Sequence, residues 1–245
     1  MAEDEQGVTF VAAAGVAGGR GELVGHGLVT WRASFSRTHL RSAALHARKA
    51  ATLDPDASDE SDEGVERVAC TTAAIFTAVA AIEAAVSEVY VAAVEQQMLA
   101  GASVPQRDQD LAAEWGEIKA KPAMDKAKSA LHVVRKDAGD LACWKDITDL
   151  FKLRNVVTHY TAGPIVGASS TADVFIHAGD DRLRDLEKSL SGNTQLRRGV
   201  SADKPYFPFP YLNGSCAMWA VGLSRTFIEG FWALMGHPFP VAQGG

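Results

Sequence analysis

The stretch from Val65 to about Leu99 constrains this chain more than any other. Val68, Thr72, Ile75, Phe76, Val79, Ile82, Val86, Val89 and Tyr90 keep the i, i+3, i+4, i+7 spacing of an amphipathic helix. Alanine fills most of the gaps, which favours helix and lets neighbouring helices approach closely. Gly101 and Pro105 stop it. A long apolar stripe needs other elements to cover it, so the remaining segments have to supply partners.

They read as further helices. A second helical region runs from about Gln106 to Lys136, with Pro122 as the point where it can break. A third spans roughly Leu141 to Tyr160 and is stopped by Gly163 and Pro164. Asp180 to Leu190 makes a short helix with Leu183, Leu186 and Leu190 on one face. The aromatic loop PYFPFPY (205–211) leads into a last helix, Ser215 to Met235, with Trp219, Leu223, Phe227, Phe231 and Leu234 at core spacing. Val174 to His177 is a short extended piece. The predicted class is all-α, a helical bundle.

The amino-terminal part differs. Residues 7–35 have β-branched and aromatic ends around a glycine-rich centre, which fits a small β-hairpin or a loosely ordered arm. GVAGGRG lacks the Lys-Ser/Thr pair of a phosphate loop. Residues 36–50 form a short basic helix, and 54–66 an acidic linker that its own repulsion keeps extended. The expected organisation is therefore a leading segment, 1–64, then a helical domain, 65–240, with an insertion at 161–211.

The net charge of −6 argues against a generic polyanion binder, yet seven acidic residues lie between Asp54 and Glu66. Without them the rest carries +1, so locally basic surfaces remain open. Cys70, Cys143 and Cys216 lie far apart, as buried thiols in a reducing cytosol do. The acidic MAEDEQ start does not suit a secretory signal, and the most apolar stretch, Val68 to Ile82, is short for a bilayer. A cytoplasmic protein without membrane association is expected, with no cofactor. No histidine spacing suits a metal site, and no nucleophile elbow occurs.

Two charges fall on apolar faces. Glu83 lies between Ile75 and Phe76 on the helical wheel, and Arg154 lies among Ile147, Leu150, Phe151, Leu153 and Val157. Core-facing charges are rarely left unpaired, so the expectation is that Glu83 meets Arg154 where their helices pack. The bland alternative is that each side chain snorkels out of its stripe. Arg154, Asn155 and His159 also make a polar set at one helical end. Such a set offers a planar cation for phosphate oxygens, an amide to orient and a group that titrates near neutrality. Those parts suit metal-independent RNA cleavage by 2′-OH attack. A lone histidine at a helix C-terminus is more often a dipole partner.

Arg154-Asn155, three residues, then His159 (RNVVTH) resembles the signature of the HEPN superfamily, the higher-eukaryote and prokaryote nucleotide-binding domains. Its context is similar too: an alanine-rich helix with an inward glutamate (AAIEAAVSEVY, 80–90), the motif closing a later helix, and an aromatic-rich helix after it. The similarity covers roughly residues 65–235. It implies a HEPN-like helical bundle that homodimerises to bring two motifs into one cleft. It implies a metal-independent endoribonuclease, as in toxins and phage-defence or antiviral effectors, with an antitoxin or defence-system protein as a further partner. On that resemblance Arg154 binds phosphate and stabilises the transition state, His159 is the general acid/base, and Asn155 orients. Glu83 supports Arg154. Lys145 and Lys152, on the motif helix, would contact the RNA backbone, though surface lysines are most often simply solvated. The competing reading is a catalytically silent HEPN-like scaffold binding a protein partner or RNA, with the 205–211 loop as a docking surface. The long insertion departs from the family pattern.

Overall fold

The computed structural model describes residues 9–10, 31–32, 34–58, 60–100, 103–159, 181–194 and 208–236. The helices in order are α1 (Phe35–Ala51), α2 (Asp62–Ala100), α3 (Gln106–Ile118), α4 (Ala123–Val133), α5 (Trp144–Thr158), α6 (Asp181–Asn193) and α7 (Gly214–Leu234). The class is all-α. Thr9–Phe10 and Trp31–Arg32 form a two-residue antiparallel pairing, with Phe10 opposite Trp31. The glycine-rich residues between them, the 174–177 piece and the first part of the 205–211 loop lie outside the described residues.

The predicted long helix is α2, 39 residues from Asp62 to Ala100, and it is the axis of the fold. α1, α3 and α7 pack most extensively on it, and α4 and α5 also touch it. Ile75, Val79, Ile82, Val86 and Val89 are buried against Ile147, Leu150 and Leu153 of α5 and Phe227, Ile228 and Phe231 of α7 as one core. α2 is long and apolar enough to cross a bilayer by composition alone, and 44% of its most apolar window is buried inside the fold. The region from Gln106 onward does divide at Pro122, which precedes α4.

α1 belongs to the same core. Leu40, Ala43, Ala47 and Ala50, spaced at three and four residues, are buried on α2 and α7. Its start is held from across the fold, because the Ser36 N–H and hydroxyl both donate to the Glu88 carboxylate, at 2.9 and 2.6 Å. That carboxylate satisfies donors a helix N-terminus leaves open.

The acidic segment is not an extended linker. Arg67, fully buried on α2, donates from Nη1 to the carbonyls of Asp54 and Ala57 at 2.9 and 3.0 Å. Glu63 accepts from the Asp54 N–H, and Glu66 pairs with Lys49 at 3.2 Å. Asp62 and Glu63 open α2, where carboxylates favour the positive end of the helix dipole. Specific hydrogen bonds and the dipole thus override the mutual repulsion expected of the run.

Candidate functional site

α5 carries the polar set on two different sides. At about 100° per residue, Arg154 and His159 lie about 140° apart. Arg154 turns toward α2 and pairs with Glu83, Nη2 to Oε1 at 3.1 Å. The two helices therefore bring together the two charges that stood inside apolar stripes. Burial is only partial: the Arg154 side chain is 29% exposed and that of Glu83 46%. The pair sits at the edge of the α2–α5 contact, which combines the pairing with some of the snorkelling allowed for each stem. The Arg154 guanidinium also lies over the Phe151 ring, 5.9 Å from its centroid. Its Nε is buried and has no hydrogen-bond partner among the described residues. One of five guanidinium donors is thus committed to Glu83 while others stay available.

Asn155 and His159 are exposed. His159 is the C-cap of α5, and its backbone N–H donates to the Asn155 carbonyl at 2.8 Å, closing the last turn. Thr158 closes the same turn by donating its hydroxyl to the Arg154 carbonyl at 2.7 Å. The helix end that holds the histidine is thereby fixed by bonds local to the motif.

Lys145 and Lys152 are also on α5, and both engage Asp149, at 3.5 and 2.9 Å. Asp149 is buried, which alone would raise its pKa. The Lys152 hydrogen bond and the charges of Lys152 and Lys145 outweigh that and hold the carboxyl below its usual value. This aspartate carried no signal in the sequence. It lines a cleft of about 680 Å³ between α5 and α6, with Trp144, Lys145, Thr148, Lys152, Asp185, Lys188 and Ser189.

Other reactive groups stand apart. Burial pushes the Cys216 thiol up to about 12 and raises that of Cys143, so neither is poised as a thiolate. Trp144 packs on Phe227 with ring centroids 6.2 Å apart, and Trp219 lies against the same core. Pro210 and Tyr211, at the described end of the aromatic loop, are buried in a short 3-10 turn.

No family model matches the chain, and neither a curated protein nor a solved structure matches it.

Proposed function

We propose that this chain is a HEPN-like, metal-independent endoribonuclease of the cytoplasm, in which two copies share a cleft. The observation that carries the reading is Arg154, held near the end of α5 by Glu83 and Phe151 with one of its donors engaged, five residues before His159. Arginine so fixed is suited to phosphate, whose oxygens match its fork of donors. Glu83 limits its rotation, and the partial exposure leaves an approach for a substrate.

In the proposed reaction His159 takes the proton from a ribose 2′-OH. The 2′ oxygen attacks the adjacent phosphorus, and the bond from phosphorus to the 5′ oxygen breaks. Arg154 stabilises the negative charge that builds on the phosphoryl oxygens. The leaving 5′ oxygen is protonated by solvent or by the second copy's histidine, giving a 2′,3′-cyclic phosphate and a 5′-hydroxyl. Asn155, four residues before His159 and on the same side of α5, orients the ribose or the imidazole. The family's biology would make the chain a toxin or phage-defence effector restrained by a partner protein.

The test is incubation of the purified chain and its His159→Ala variant with structured RNA in EDTA. Cyclic-phosphate ends from the wild type, and none from the variant, support the enzyme. Silence from both leaves the scaffold reading in its place.

A further inference from the structure

His159 shares its side of α5 with the cleft, not with Arg154. On an ideal helix Thr148, Lys152, Asn155 and His159 fall within an arc of about 60°. Thr148 and Lys152 line the cleft against α6, and Lys145 and Trp144 extend it toward the start of the helix. One face of α5 therefore runs from the cleft to the histidine over fifteen residues, or about 22 Å at 1.5 Å per residue.

The cleft has an excess of one positive charge on a chain that is acidic overall. Lys145, Lys152 and Lys188 line the cleft against Asp149 and Asp185. Asp149 is already compensated by two of the lysines, and Lys188, from α6, has no ion-pair partner among the described residues. Lys145 is 80% exposed and reaches Asp149 only at 3.5 Å, so its ammonium can leave that contact at little cost. The cleft has a volume of about 680 Å³. Trp144 provides an apolar wall, anchored from behind by Phe227.

We propose that the α5–α6 cleft is a binding track for single-stranded RNA, in which Lys188, Lys152 and Lys145 hold consecutive phosphates and Trp144 abuts a base. The strand then runs along α5 to Asn155 and His159. Single-strand grooves of this kind pair a cationic floor with an aromatic wall. The track rests on the ribonuclease reading for where the strand ends, but its binding role is independent of cleavage. Lys188 becomes a positioning residue, outside the RNxxxH motif and across the 161–180 segment from it.

The test uses a fluorescent 2′-O-methyl oligouridylate, which cannot be cut by 2′-OH attack, and reads its affinity by anisotropy over a range of salt. Lys188→Glu is expected to weaken binding about tenfold or more and to flatten the dependence of affinity on salt. Lys128→Glu, an exposed lysine on α4, is the control and should leave both nearly unchanged. If Lys188→Glu binds like the wild type, or Lys128→Glu weakens binding as much, the track is wrong, whatever the cleavage assay gives. Equal affinity for a 2′-O-methyl duplex also overturns it. If Lys188 governs binding while no chain cuts RNA, the track stands and the nuclease reading falls.

Discussion

Arg154 and Glu83 show how one residue in the wrong place in a pattern can be informative. Each interrupts an apolar stripe, and a charge there asks for a partner; the 3.1 Å contact supplies it. Because both heads are partly exposed, the pair should add no more than about 1 kcal/mol to stability. Glu83→Lys and Arg154→Glu should each lower the urea midpoint, through the like-charge pair each creates. The double reversal should recover at least half of the combined loss, whereas simple addition of the two losses would rule out direct contact. Asp149 was not legible in the same way, since an aspartate three and four residues from lysines looks like an ordinary solvated helix face. Its burial depends on α6, which reaches it only after the 161–180 segment. Its folded-state pKa is depressed, so its stabilisation is complete above the unfolded value of 3.8 and is lost as pH falls through the lower folded value. Asp149→Asn should therefore cost about 1.5 kcal/mol in urea unfolding at pH 7. That difference should shrink steadily below about pH 4. A gap that persisted undiminished at the lowest pH would locate the effect in packing and not in charge.

At the scale of elements, helix existence followed from periodicity, and the breaks at Pro105 and Pro122 followed from proline chemistry. The role of α1 did not. Its buried face is mostly Ala43, Ala47 and Ala50, which bury no large side chain and leave the basic residues to dominate its sequence character. What alanine provides is closeness, and the same closeness recurs where α7 begins. An ideal Cβ on Gly214 would stand 2.6 Å from the Ala51 Cα and 2.8 Å from its nitrogen. Backbone cannot yield there as a side chain could. Gly214→Ala should destabilise by about 1–3 kcal/mol, lowering Tm by about 2–4 °C for each kcal/mol in a chain of this size. Gly222, exposed on the same helix with nothing within 4 Å of a built Cβ, is the contrast. Gly222→Ala should raise Tm slightly by helix propensity. Equal effects at the two glycines in calorimetry would remove the close α1–α7 approach from this description. The far end of α7 is fastened differently: Arg107 donates to the Met235 carbonyl, and Gly236, at φ +71°, leaves the space its guanidinium occupies.

For the whole molecule, net charge misleads in both directions. The acidic run is spent largely on tying the α1–α2 connection and opening α2, through Glu63, Glu66 and the carbonyls that Arg67 binds. Three lysines of α5 and α6, Lys145, Lys152 and Lys188, meet at the cleft, while the most basic helix is α1, with four Arg or Lys residues and no acidic one. Sequence alone reached the helical class and the Arg154–Glu83 contact, because both rest on periodicity within single helices. It did not reach the cleft, because the opposition of two helices separated by a long segment leaves no local mark. The central claim is that Arg154 and His159 act as one site on RNA, and a single set of rate constants addresses it. Residues of one catalytic unit lose activity together, not additively. Single-turnover cleavage of RNA in EDTA should fall at least about 100-fold in Arg154→Ala and in His159→Ala. The double variant should fall no further than the poorer single. If wild type and all three variants produce the same rate, or none produces cyclic-phosphate ends, Arg154 and His159 are not a ribonuclease site.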